Sequence, residues 1–186
     1  MPNKIEVSGN RLSFLGKEYR CAIGKNGIAT DKKEGDGCTP TGTFALRECW
    51  FRMDRMESPR TKLPLKLIRP EDGWCDDVRS SEYNKHIKIT GDRLQVTEGT
   101  PKPAALNLQP SFEHLWRDDH VYDLIVPLGY NDDPVVPGRG SAIFMHVAHG
   151  DYRGTEGCIA LAKEDMLEVL KVCSVSTLIT IEKSIE

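Results

Sequence analysis

Turn chemistry recurs so often along this chain that it leaves little room for helices. Of its 186 residues, only Lys163 to Cys173 carries a clear helical period. There Met166, Leu170 and Cys173 share a face, and Glu164 and Asp165 favour the N-terminal dipole. Elsewhere short β-prone runs are cut by glycine, asparagine and proline. Lys4 to Val7, Arg11 to Phe14 and Lys17 to Ile23 are separated by Gly9-Asn10 and Leu15-Gly16. The stretch Gly35 to Gly42 holds three glycines and a proline and must be a loop. Thr43 to Phe51, Tyr122 to Leu128, Ala142 to Val147 and Thr177 to Ile181 read as further strands, with a turn at Asn131-Asp132-Asp133-Pro134. Arg52 to Gln109 shows no period and reads as long loops with short elements. Ser111 is placed to cap a short helix through Trp116, with Glu113 in its first turn. The pattern predicts a mainly β fold, a mixed sandwich with one helix in its C-terminal half. Nothing divides the chain, so a single domain over 1–186 is expected.

Composition removes several function classes. Lys and Arg number 25 against 28 Asp and Glu, for a net charge of −3, and no basic run occurs. Such a chain is a poor nucleic-acid binder. No stretch approaches the roughly 20 apolar residues of a membrane helix. Met1-Pro2-Asn3-Lys4 opens with no apolar region of a secretory signal, so a cytoplasmic setting is expected, or a periplasmic one if a leader has been removed. The six cysteines are scattered singly, with no Cys-x-x-Cys pair, which fits reduced thiols.

Two residues stand out as candidates for chemistry. Cys158 lies between a glycine-containing turn, Gly154 to Gly157, and the apolar run Ile159-Ala160-Leu161. A cysteine there can present its sulfur at a strand edge, with the Gly157 and Cys158 amides facing a developing oxyanion. A thiol of ordinary pKa, about 8.5, needs a base or a positive environment. His146 sits near the end of an apolar run and is a candidate for that base. Taken singly, each has a plainer reading: a buried small hydrophobe for Cys158, and a histidine bonded to backbone for His146. His146, His149 and Cys158 also allow a zinc-stabilised domain, with Asp151 or Glu156 completing the set. Asp76-Asp77 reads as a turn or surface pair.

Gly138-Arg139-Gly140-Ser141-Ala142-Ile143-Phe144-Met145-His146, followed by Thr155-Glu156-Gly157-Cys158-Ile159-Ala160-Leu161, resembles the L,D-transpeptidase catalytic domain of the YkuD type, in a compact bacterial branch without a signal. Glu34-Gly35-Asp36-Gly37 with Thr39-Pro40, Gly73-Trp74-Cys75-Asp76-Asp77 and Leu128-Gly129-Tyr130-Asn131 extend the likeness from about Cys21 to Leu170. The resemblance implies a Cys158 nucleophile, a His146 base, and no metal or organic cofactor. It implies a peptidoglycan stem peptide as substrate, cleaved before a terminal D-alanine through a thioester, with water or an amine as acceptor. No obligate protein partner is implied. Two positions depart from the family pattern: Glu156 stands where a second histidine is common, and Ala160 where an arginine is common. Arg139 and Arg153 are therefore the candidates for binding a substrate carboxylate, Arg139 the more so because it lies in the matched stretch. Tyr130 and Asn131 are further substrate-binding candidates. A non-catalytic peptidoglycan-binding module remains the alternative that these departures motivate.

Overall fold

The computed structural model describes residues 4–89 and 110–183. Its strands are β1 (Lys4–Ser8), β2 (Arg11–Phe14), β3 (Lys17–Ala22), β4 (Ile28–Ala29), β5 (Thr39–Pro40), β6 (Gly42–Ala45), β7 (Cys49–Phe51) and β8 (Leu65–Leu67). There follow β9 (Asp72–Cys75), β10 (His86–Lys88), β11 (Phe112–His114), β12 (Leu124–Pro127), β13 (Phe144–Val147), β14 (Ile159–Leu161) and β15 (Leu178–Glu182). A 3-10 turn at His120–Tyr122 precedes β12, and α1 spans Lys163–Leu170. The fold is mainly β, as the turn pattern predicts.

Ten strands form one mixed sheet in the order β6-β15-β1-β2-β3-β14-β13-β12-β7-β8. One hydrophobic cluster holds Ile5, Val7 and Leu12 from one half of this sheet and Val126, Met145, Ile159 and Leu161 from the other. The two halves therefore pack face to face, and Met166, Val169 and Leu170 of α1 join the same core. On the opposite face of β12, β13 and β14 a second cluster gathers Trp50, Leu115, Tyr122, Ile125, Phe144 and Cys158. Strand alternation divides the two: Met145 and Val147 go to the first core, Phe144 to the second.

Several expectations are corrected. The run from Thr43 to Phe51 is two strands, β6 and β7, which pair with β15 and with β12 and β8 respectively. No helix starts at Ser111. Phe112, Glu113 and His114 pair instead with Cys75, Trp74 and Gly73, because a ladder to β9 satisfies their backbone better than a single capped turn. With β10, these strands form a small antiparallel sheet, order β10-β9-β11, of which β9 and β10 lie in the region read as loops with short elements. The part of that reading at 90–109 lies outside the described residues.

Candidate active site

Register brings Cys158 and His146 to one face. β13 and β14 run parallel with His146 opposite Ala160. Two residues earlier, the Phe144 N–H donates to Cys158 Sγ at 3.3 Å. Period-two alternation then puts Phe144, His146, Cys158 and Ala160 on the same side of the sheet, with Cys158 diagonal to His146. That side opens on a cleft of about 560 Å³, which both side chains line.

A tight turn sets the sulfur in place. Thr155 Oγ1 donates to the Cys158 carbonyl at 2.7 Å and accepts from the Gly157 N–H at 3.1 Å. Gly157 has a φ of +143°, and a Cβ there would lie 2.8 Å from the Cys38 carbonyl oxygen. Only glycine fits both the dihedral and the approach. The Cys158 thiol donates to the Ala142 carbonyl at 3.2 Å. Ala142 itself is left-handed, with φ 52°, and its N–H is held by Asn84 Oδ1 at 3.1 Å. Of the two amides expected at an oxyanion, that of Gly157 is engaged with Thr155, while that of Cys158 has no hydrogen-bond partner among the described residues.

His146 Nδ1 lies 2.8 Å from the Val147 carbonyl oxygen. A carbonyl only accepts, so the Nδ1 proton is fixed and Nε2 is left as the lone-pair nitrogen. Tyr122 packs against the imidazole with ring centroids 5.3 Å apart at 74°. Both candidates are largely removed from water, Cys158 at 7% and His146 at 6% exposure. Burial disfavours the charged form of each, in opposite directions. It pushes the thiol up to about 12, reinforced by the Glu113 carboxylate. It lowers the imidazole to about 4, although the Val147 hydrogen bond acts the other way. At neutral pH the resting pair is thus uncharged, and Nε2 is competent to take a proton.

The remaining sequence candidates fall in different places. Arg153 lines the cleft, its Nη2 3.0 Å from Nε2 of His149. Arg139 is exposed and lies outside the cleft lining. Tyr130 donates its hydroxyl proton to the Arg139 carbonyl and lines a separate cavity of about 300 Å³. The Asn131 amide is occupied by the carbonyls of Val136 and Gly140 and the N–H of Val136, so it ties the loop that leads to Ser141. Glu156 turns outward, 76% exposed, to Lys25 at 2.6 Å, and so does not crowd the thiol. Ala160 is buried within the sheet. The zinc reading is corrected. Among the described residues no three histidine, cysteine or carboxylate side chains converge as a metal site, and His146 already donates from Nδ1 to backbone.

The cleft also holds residues that sequence reasoning passed over. Glu113 accepts the Tyr122 hydroxyl at 2.6 Å. Asp76, read as a turn residue, lines the cleft with its Oδ1 buried and unpartnered. Asp77 does fit the turn reading: its Oδ1 accepts the Arg79 N–H at 3.0 Å and its carbonyl accepts the Ser80 N–H at 2.9 Å. Lys32 lies on the wall beside Gly157. Glu113 was hidden because its position depends on pairing with β9, far away in sequence.

Fold and cleft together define a class: a mainly β protein with a thiol and an imidazole on one sheet face, opening on a peptide-sized cleft. The family model for the YkuD L,D-transpeptidase catalytic domain matches residues 5–181, and the chain belongs to that family of cysteine-dependent, peptidoglycan-related acyltransferases. Comparison with curated proteins and with solved structures gave no match.

Proposed function

We propose that this protein cleaves the L–D peptide bond before a terminal D-alanine in peptidoglycan stem peptides, through a thioester on Cys158. The observation that supports this reading most is the shared face. Thiol and imidazole line one cleft of about 560 Å³, a volume suited to a short peptide, and the imidazole keeps Nε2 free.

Sγ leaves the Ala142 carbonyl and attacks the substrate carbonyl carbon while its proton passes to His146 Nε2. The carbonyl oxygen becomes an oxyanion, received by the Cys158 N–H. Collapse breaks the C–N bond, His146 returns the proton to the departing amine, and D-alanine leaves. The thioester is then opened by water, giving L,D-carboxypeptidase action, or by an amine, giving a new cross-link. In either case His146 takes the attacker's proton and returns it to sulfur. Arg153 lines the cleft and is the candidate for the substrate carboxylate, since the other lining guanidinium, Arg117, is paired with Asp119. Tyr122 and the Val147 carbonyl fix the imidazole's orientation, in the manner of the third group of a nucleophile–base pair.

The test is incubation with a disaccharide tetrapeptide, with and without an acceptor stem, read by mass spectrometry. Loss of alanine alone marks hydrolysis, and a dimer mass marks transpeptidation. Binding with no product mass would make the protein a peptidoglycan-binding module and overturn the enzymatic reading.

A further inference from the structure

A buried lysine shares the cleft with the thiol. Lys32 is 3% exposed, rare for a residue whose charge is costly to desolvate. Its Nζ donates to Asp36 Oδ1 at 2.6 Å and to the Lys33 carbonyl at 3.1 Å. An ammonium has three donors, and the third finds no acceptor among the described residues. Asp36 is itself the hub of the loop: Oδ1 also accepts the Cys38 N–H at 2.9 Å, and Oδ2 the Lys33 N–H at 2.7 Å. The lysine stem runs beneath two glycines of the site. A Cβ on Gly140 would lie 3.0 Å from Lys32 Cε, and one on Gly157 3.5 Å from it. The first of these precedes the Ser141-Ala142 segment that holds the thiol, and the second carries Cys158.

From this arrangement we infer that Lys32, clamped by Asp36, is a positioning residue for the acyl-transfer step. Its fixed positive charge beside the Gly157-Cys158 turn favours the thiolate and the oxyanion that form there. The inference rests on the reading of Cys158 as nucleophile. A neutral side chain would serve a purely structural loop anchor with less desolvation, so a charge kept here calls for an electrostatic purpose. The cleft is also divided in sign around the sulfur: the Lys32 charge draws the thiol's ionisation down while the Glu113 carboxylate pushes it up.

The experiment is iodoacetamide alkylation across pH 7 to 9, with Cys158 followed by peptide mass mapping so that the other thiols do not confuse it. Below its pKa, a thiol reacts in proportion to its small thiolate fraction. Lys32→Met, and Lys32→Met with Asp36→Asn so that no unpaired carboxylate remains, are expected to slow Cys158 alkylation about tenfold at each pH. Lys32→Arg is expected to stay within about twofold of the unaltered protein. A folded double variant that alkylates Cys158 at the unaltered rate would overturn the inference. So would failure of both neutral variants to fold, since that would mark Lys32 as a structural strut. Alkylation needs no peptidoglycan, so slowed labelling without muropeptide turnover would spare this inference and defeat the functional reading. Turnover with unchanged labelling would do the reverse.

Discussion

The two halves of the ten-stranded sheet are built to different rules. In the outer half, β1 and β2 alternate between buried and exposed residues, and one face is wet. In the inner half every residue of β12, β13 and β14 is buried, because the helix-backed core covers one face and the β9 sheet with the 3-10 turn covers the other. Both candidate catalytic residues lie in the inner half. On β1 and β2 the charged side chains, Lys4, Glu6 and Arg11, stand on the exposed face and keep their water. In the inner half Cys158 and His146 lose theirs, which is why the thiol is pushed up to about 12 and the imidazole lowered to about 4. In the proposed reaction, burial there prepares a neutral pair that exchanges a proton only when substrate arrives.

The contrast can be broken most forcefully at the sulfur. Cys158→Ala is expected to remove turnover by more than about 10³-fold while thermal unfolding stays cooperative, since a methyl group replaces a small buried thiol. Product formation at the unaltered rate would place the chemistry elsewhere.

His146→Asn is expected to cost roughly 10²–10⁴ in rate, and the pH profile sharpens the point. With the base near 4 and the thiol near 12, kcat/KM should rise through a limb near pH 4 and stay level through pH 9. A resting thiolate–imidazolium pair would instead lose activity near pH 8 to 9, as the imidazolium deprotonates. The same lowered value bears on stability. Between about pH 6.5 and pH 4 the unfolded chain takes up a proton that the folded chain refuses, so stability falls as the pH drops through that window. Denaturant midpoints from pH 7 to 4 should show a loss on the order of 3 kcal/mol, reduced in His146→Asn.

Packing gives smaller effects in the same order. Ile159→Ala, fully buried next to Cys158, is expected to cost about 2–5 kcal/mol. Glu18→Ala breaks an outer-half ion pair with Arg11 in which both side chains are more than half exposed, and should cost under about 1 kcal/mol. Urea midpoints would read both, and an equal cost at the two sites would dissolve the distinction between the halves.

The same contrast explains what was legible in the sequence. The outer hairpins show in the alternation of Lys4 to Phe14 and in Gly9-Asn10, because a half-wet strand has to alternate. Inner strands show as apolar runs such as Leu124-Ile125-Val126, and a histidine in such a run is conspicuous for being the polar exception. What could not be read was the cover over them. Trp74 meets Glu113 across β9 and β11, a pairing that no local period encodes, so in the sequence Glu113 and Asp76 read as helix and turn residues. Lys32 carried no signal at all, for its importance lies in the approach of Gly140 and Gly157. Arg139 stood inside the matched motif yet lies outside the cleft, while Arg153 lines it; linear nearness to a motif does not say which way a loop turns.

In the proposed reaction the Cys158 sulfur carries the acyl group. Mixing the protein with a tetrapeptide and quenching in acid for intact mass measurement tests it directly. The expected result is an added mass equal to the tetrapeptide less one alanine, the thiol proton having left on the alanine amine, mapped to the Cys158 peptide and lost in Cys158→Ala. Product release with no adduct at that residue, or an adduct that survives the substitution, would contradict it.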